Sequence, residues 1–290
     1  MQARLAQAEL EWLATVTANE VGDDRAALAA RRRLEPLLEE IQDPLLHAIC
    51  QLAMGWTSPI TGDFERAQRE VSATLEELRS QDEPFWTAQA AFTAGAIESA
   101  LGHPDSALQH LSLMRELADR YDDAWLTASS RLQLGTLAVM QGRLEEAREQ
   151  LDQALALSLA IRIIRNVTLC LAAFAQLAFA EGDPERAALL AGAAEGLQRR
   201  AGFTTWPAMR RGEAQLTAQI RQALGTTGSV RCSLPGPDSA SRRRWPRSGA
   251  GPVTTPSRPD AWPQRLAAPG WHVLGLRSQL ALARRRPFWL

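Results

Sequence analysis

Apolar residues recur at three- and four-residue spacing along most of residues 1–225, which is the pattern of helices that bury one face. In the second such segment, Leu28, Leu34, Leu38 and Ile41 fall on a shared face. Short phrases rich in Gly, Asp and Pro interrupt the pattern and are typical of helix ends. The pattern predicts helices at about 1–20, 25–41, 45–60, 63–80, 84–101, 104–120, 124–141, 144–160, 164–181, 184–200 and 208–224.

One of these phrases returns every forty residues. It reads GDDRAA at Gly22, GDFERA at Gly62, GHPDSA at Gly102, GRLEEA at Gly142 and GDPERA at Gly182. A fixed period of this size is the signature of a helical solenoid, in which each repeat is one pair of helices. The Gly suits the left-handed position that ends one helix, and the acidic residues or Pro behind it suit the first turn of the next.

Small residues recur at fixed places around the phrase. Seven residues before its Gly stand Gly55, Gly95, Gly135 and Ala175. Five residues after its Gly stand Ala67, Ala107, Ala147 and Ala187. A Gly inside a helix costs about 1 kcal/mol relative to Ala, so its return at one phase indicates that two helices approach closely there.

The order of these columns resembles the tetratricopeptide motif: a small residue, Gly seven later, Ala five after that, and a further small residue at Ala154 or Ala194. Repeats of that class usually have about 34 residues, and the expected Tyr and closing Pro are not found here. HEAT repeats share the forty-residue period, but the Gly and Ala columns favour the tetratricopeptide interpretation. We therefore expect an all-α, tetratricopeptide-like α-solenoid of about five helix pairs, followed by a disordered C-terminal tail.

The long, divergent repeats also resemble those of the large ATP-binding bacterial transcriptional regulators of the LuxR type. The run GDPERAALLAGAAEGLQRRAGF from Gly182, the Trp206-Pro207 step and the closing QALG before Thr226 are similar to the end of the helical region in that family. The resemblance implies a protein-interaction or effector-sensing module of such a regulator. The family's ATPase domain needs a P-loop Lys, and this chain has no Lys, so we expect that domain to be missing.

Charge is unevenly distributed, although the net charge of the whole chain is only −1. Residues 1–228 contain 21 Arg and 31 acidic residues, whereas residues 229–290 contain 11 Arg and two acidic residues. The helical pattern also stops near Gly225, so we expect a repeat domain at residues 1–225 and a tail at residues 226–290. Three interpretations of the tail stay open: a basic arm that binds nucleic acid through Arg242–Arg244 and Trp245, a disordered segment, or an out-of-frame translation.

The sequence contains no arrangement typical of catalysis or metal binding. The three Cys are far apart and lack a CxxC spacing, and neither an HExxH nor a Gly-x-Ser-x-Gly motif occurs. His103 and His110 are seven residues apart, and we interpret them as a chance surface pair. The sequence therefore predicts a protein that is not an enzyme and has no cofactor or metal. Without a signal peptide or membrane-spanning stretch, it predicts a cytoplasmic location and no membrane contact.

The remaining candidate for function is the concave side of the solenoid. In tetratricopeptide arrays the first helix of each pair lines that groove. If the first helices of this chain face the groove in the same way, eleven residues lie there: Leu52, Trp56, Gln89, Phe92, Ser99, Ser129, Leu132, Thr136, Met140, Leu169 and Gln176. Their mixture of apolar and uncharged polar groups suits a protein or peptide partner, or a small effector. Nucleic acid is expected to bind only through the tail.

Overall fold

The computed structural model describes residues 2–225, and all regular secondary structure in that part is helical. The α-helices are α1 Gln2–Val21, α2 Asp24–Leu34, α3 Pro44–Thr57, α4 Phe64–Ser80, α5 Pro84–Leu101, α6 Pro104–Tyr121, α7 Ala124–Met140, α8 Leu144–Ala160, α9 Ile164–Ala180, α10 Pro184–Ala201 and α11 Pro207–Leu224. The predicted all-α fold is confirmed for this part. The tail expected at residues 226–290 and its basic clusters lie outside the described residues.

The first ten helices form five pairs that stack side by side. The two helices of a pair pack along each other, and the second helix also contacts the first helix of the next pair. Consecutive first helices touch at α1–α3, α3–α5, α5–α7 and α7–α9, whereas no comparable contact joins consecutive second helices within residues 2–225. Because the first helices lie closer together than the second helices, they occupy the inner, concave side of a curved array.

The repeating turn phrase forms the connection within each pair. Its Gly has a positive φ in every copy, from +72° at Gly142 to +84° at Gly62, which is the left-handed conformation that ends a helix. In three copies the next residue is an Asp that caps the following helix; the side chain of Asp63, for example, accepts a hydrogen bond from the backbone N–H of Arg66 at 3.0 Å. Both roles agree with the sequence prediction.

The connections between pairs repeat as well, which the sequence analysis did not predict. Left-handed residues stand forty positions apart at Asp82, Asp122, Arg162 and Gly202. Only the last of them is Gly, so three connections place a side chain in a conformation that L-residues adopt at a cost. Asp tolerates this conformation better than most residues, whereas Arg162 has no such advantage.

The first two pairs are less regular than expected. The helix predicted at 25–41 ends at Leu34 and continues as a 3-10 segment, Glu35–Glu40, and the helix predicted at 45–60 ends at Thr57 and continues as Ser58–Thr61. Pro36 and Pro59 lie near the start of these segments. Because Pro has no N–H to donate to the preceding turn, each one ends the α-helix.

A buried ion pair joins the first two pairs. Arg31 occupies the position that Leu111 holds two repeats later, and its side chain is 8% exposed. Its guanidinium donates to the backbone oxygen of Met54 at 2.6 Å and to the hydroxyl of Ser58 at 2.7 Å. It also lies 2.9 Å from a carboxylate oxygen of Glu70. The charge is therefore compensated, and α2 is tied to α3 and α4.

Small residues hold the helices of each pair close together. The Ala five residues after each turn Gly is fully buried: Ala27, Ala67, Ala107, Ala147 and Ala187. They contribute to a core that runs through the stack, as in the cluster around Leu151, Phe174 and Leu177. No helix in residues 2–225 combines the length and apolar character needed to cross a bilayer.

Candidate binding surface on the first helices

The inner and outer helices differ sharply in charge. Helix α3 contains no Asp, Glu or Arg, while α5, α7 and α9 contain one charged residue each, namely Glu98, Arg131 and Arg165. Every second helix from α4 to α10 contains at least five. The second helices therefore present a charged outer face, whereas the surface of α3, α5, α7 and α9 on the concave side is nearly free of formal charge; the first helix, α1, has four charged residues.

The eleven predicted groove residues differ in exposure. Four of them are buried: Leu52, Gln89, Ser129 and Leu132. Helices α3, α5, α7 and α9 each pack against their own partner and against helices on both sides, so only a narrow strip of each meets solvent. The other seven, which we call the accessible set, are at least partly exposed: Trp56, Phe92, Ser99, Thr136, Met140, Leu169 and Gln176. Met140 is the most open of them, with 61% of its surface exposed.

Hydrogen bonds fix part of this surface. The indole N–H of Trp56 donates to the hydroxyl of Thr93 in the next first helix at 2.7 Å. The amide of Asn166 donates to the hydroxyl of Ser129 in the same way at 3.0 Å. The hydroxyls of Ser99 and Thr136 donate to carbonyls one turn back in their own helices. These polar groups serve the fold, so the surface offered to a partner is mainly apolar.

An aromatic cluster in the first three pairs was missed at the sequence level. The rings of Trp12 in α1 and Trp86 in α5 pack edge to face with centroids 6.0 Å apart, and Phe85 packs on Trp86 at 5.3 Å. Trp12 stands forty residues before Leu52, so the repeat itself was the signal that could have placed it on the concave side. The indole N–H of Trp12 is buried and has no hydrogen-bond partner within the described residues.

The two Cys of residues 2–225, Cys50 and Cys170, are free thiols and are buried. Burial raises the pKa of the Cys50 and Cys170 thiols to about 12, so neither is a thiolate at neutral pH. No group of three or more His, Cys, Asp or Glu side chains in this part of the chain is placed to hold a metal ion.

The His pair noted in the sequence has an unexpected neighbour in Glu98, which is 5% exposed. Nδ1 of His103 lies 2.9 Å from one carboxylate oxygen of Glu98, and Gln68 donates to the other at 2.7 Å. Burial lowers the pKa of His110, and the charge of Glu98 partly opposes that shift. Glu98 therefore acts as a structural tie between α4, α5 and the turn before α6.

A cavity of about 190 Å³ lies between the first two pairs. It is lined by Glu35, Leu38, Gln51, Met54, Glu70 and Ala73. None of the eleven predicted groove residues lines it.

Comparison with solved structures finds the same fold elsewhere. The structure is similar to a Rap protein in complex with Competence and Sporulation Factor, with 13% sequence identity and a TM-score of 0.62. It is also similar to aspartyl phosphate phosphatase F from Bacillus subtilis, with 10% identity and a TM-score of 0.58. Each match covers 76% of this chain and 60% of that chain, so this chain spans less than two thirds of their length. No protein-family model and no curated protein sequence matches the chain. The likeness therefore shows a tetratricopeptide-like helical repeat fold.

Proposed function

We propose that residues 2–225 form a non-catalytic binding module, and that a protein or peptide segment binds along the first helices. The accessible set carries this proposal, because it presents apolar and uncharged groups on four consecutive first helices. A partner with an apolar face and few charges would complement it, since charges buried against such a surface would lose their hydration. The similar Rap protein is seen in complex with a factor, which supports a binding role for a fold of this kind.

The repeat also suggests the form of the partner. Trp56, Ala96, Thr136 and Gln176 stand forty residues apart and occupy the same place in consecutive first helices. Packed helices are about 8–10 Å apart. A peptide in the polyproline-II conformation advances about 3.1 Å per residue and has three residues per turn, so every third side chain points the same way and would meet the next helix. We therefore propose an extended segment with an apolar residue at every third position.

We also propose that the module derives from a large ATP-binding regulator of the LuxR type. The support for this relationship is the residue pattern of the turn phrases and of the run from Gly182 to Gly225. The DNA on either side of the gene tests it. An upstream reading frame with a P-loop and a downstream frame with a helix-turn-helix are expected, and flanks that encode neither would contradict the relationship.

Selection of a random-peptide display library on the full chain tests the binding surface. Selected peptides should show the three-residue apolar pattern and lose at least tenfold in affinity for the Phe92→Ala and Thr136→Trp variants. Leu189→Ala is the matched control, because Leu189 is 60% exposed on the second helix α10. Peptides that tolerate both groove variants but lose affinity for Leu189→Ala would place the binding surface on the outer helices. A library of small metabolite-like compounds, run in parallel, distinguishes a small effector from a peptide.

A further inference from the structure

The turn between α1 and α2, which we call the first turn, contacts the link between α10 and α11 at the other end of the array. Thr204, in the link between α10 and α11, donates its backbone N–H to the carbonyl of Val21 at 3.2 Å. Its hydroxyl donates to the carbonyl of Gly22 at 3.1 Å, across 182 residues of sequence. The acceptors are the last residue of α1 and the first residue of the turn that leads to α2. The five pairs therefore come round far enough for the two ends of the array to meet.

Arg165, in the first turn of α9, makes a second contact with the same turn. Its guanidinium lies over the ring of Phe203, 5.3 Å from the centroid, and donates to the backbone oxygen of Glu20. Its Nε is 3.6 Å from the Glu20 carboxylate. Helix α1 has no basic residue in its own last turn, so Arg165 supplies the positive charge that a helix C-terminus favours.

A third contact joins α11 to α2. Arg210 forms an ion pair with Asp24 and also donates to the backbone oxygen of Thr205. The hydroxyl of Thr205 lies 3.2 Å from a carboxylate oxygen of Glu213, which holds the link against α11 from behind. Helix α11 also contacts the 3-10 segment Ser58–Thr61 in the turn of the second pair.

The first turn is built differently from its copies. A Cβ on Gly22 would lie 1.8 Å from the hydroxyl oxygen of Thr204 and 2.9 Å from its backbone oxygen. At the equivalent Gly62, Gly102, Gly142 and Gly182, nothing lies within 4 Å of that position. Gly22 is thus needed for close approach as well as for its backbone conformation.

We propose that these contacts form a latch that closes the five pairs into a ring and encloses the first-helix side. We define the latch by Glu20, Gly22 and Asp24 on the first turn and by Arg165, Thr204 and Arg210 at the other end of the array. A slim extended segment reaches the accessible set through the ring, and a bulkier partner reaches it only when the latch opens. The role of the latch in controlling partner access rests on the proposed binding surface, whereas the closing of the ring by the latch does not.

The chemistry of the latch suits repeated opening. Arg165 is the more enclosed of its two Arg residues, with 16% of its side chain exposed. The Asp24–Arg210 ion pair is more open, and each partner has 36% of its side-chain surface exposed. Ion pairs of that exposure contribute little to stability. The helix pairs keep their own buried contacts when the latch separates, so the ring can open without unfolding.

Reporter cysteines measure access to the concave side without a partner. Thr136→Cys in a Cys232→Ser background is compared with Leu189→Cys on the outer helix α10. Cys50 and Cys170 are buried, and their raised pKa, about 12, keeps them slow to react. Each reporter is treated with N-ethylmaleimide and with a maleimide attached to a bulky polyethylene glycol chain. The ratio of the polymer rate to the small-reagent rate reports how enclosed the site is.

The latch is opened in two independent ways. Arg210→Glu sets two negative charges against each other, and Asp24→Arg combined with Arg210→Glu restores the pair. Gly22→Ala separates the turn from Thr204 by steric contact. Two controls make the same kinds of change elsewhere: Gly62→Ala, where the space is open, and Arg148→Glu, which breaks the Arg148–Glu181 ion pair between α8 and α9.

With the latch intact, the ratio at position 136 should be several-fold lower than at position 189. It should rise toward the outer value in Arg210→Glu and Gly22→Ala, fall again in the charge-swapped pair, and stay low in both controls. Equal ratios at the two positions in the unaltered latch, or a ratio at 136 that neither latch variant changes, would overturn the proposal. Since no partner is used, these outcomes are independent of whether peptides bind.

Discussion

Gly135 of α7 lies directly against Leu151 of α8: a Cβ on Gly135 would come within 2.8 Å of both Cγ and Cδ2 of Leu151. Gly95 and Leu111 repeat the relationship at 2.7 Å one pair earlier. In the fifth pair the same two positions hold Ala175 and Ala191, a larger residue opposite a smaller one. The column of small residues in the sequence is therefore a volume match within each pair.

Because of this contact, replacing Gly135 by Ala should not give the stabilisation that helix propensity alone predicts. We expect Gly135→Ala to lower the free energy of unfolding by about 1–3 kcal/mol, because the added methyl overpacks against Leu151. Gly212 in α11 is the matched control, since nothing lies within 4 Å of its Cβ position. Gly212→Ala should raise the free energy of unfolding by about 1 kcal/mol, as helix propensity predicts. Urea denaturation measures both, and shifts of the same sign would contradict the packing argument.

The ion pair between Arg31 and Glu70 predicts an asymmetric response to substitution. Glu70→Ala leaves a guanidinium that is 8% exposed without its counter-charge. We expect a loss of about 2–3 kcal/mol, somewhat below that of a fully buried pair because Glu70 is partly exposed. Arg31→Leu combined with Glu70→Ala should cost less than Glu70→Ala alone, since Leu occupies the equivalent position in the third and fourth pairs. A double variant as unstable as the sum of the two single variants in urea denaturation would be evidence against this account.

Arg162 predicts a stabilising substitution. Its φ is +59°. The equivalent residue in the next connection, forty positions later, is Gly202, with a φ of +70°. Replacing Arg162 by Gly removes the left-handed strain, and the added flexibility of the unfolded chain offsets part of the gain. We expect Arg162→Gly to raise stability by about 0.5–1 kcal/mol and Gly202→Ala to lower it by about 1 kcal/mol. Thermal unfolding measures both, and a destabilised Arg162→Gly protein would show that its side chain outweighs the strain.

Glu213 predicts a specific pH dependence. Burial raises its pKa above the ordinary value of 4.5, while hydrogen bonds from Gln198 and Thr205 and the charge of Arg210 partly oppose the shift. The folded state therefore binds the proton more tightly, so this stabilisation is complete below pH 4.5 and is lost as pH rises through the raised pKa. Relative to Glu213→Gln, the unaltered protein should gain stability as pH falls through that window. A stability difference between the two proteins that does not change with pH would rule out the shift.

The repeated features of the fold were predictable from sequence because each repeat copies the same local physics. The turn Gly, the capping Asp63 and the buried Ala column follow from helix termination and close packing, and five copies reinforce one another. The helix break at Pro59 and the left-handed conformation of Arg162 were missed. Each of these residues differs from the residues at the equivalent positions of the other repeats. They are features of single repeats, and a pattern derived from all the repeats does not show them.

The closure of the array could not be predicted in the same way. Thr204 and Gly22 are 182 residues apart, and the sequence around either residue does not predict the contact. It depends on the small rotation between successive pairs, accumulated over the whole array. The candidate surface was only partly predictable for a related reason: phase places Leu52 on the concave side, but neighbouring helices bury it completely.

The central claim is that partners bind along the first helices. A photoreactive amino acid placed at Phe92, and separately at Leu189, tests it most directly when each labelled chain is irradiated with peptides selected on the unaltered protein. The account predicts a covalent peptide adduct at position 92 and none at position 189. An adduct at position 189 with none at position 92 would contradict it.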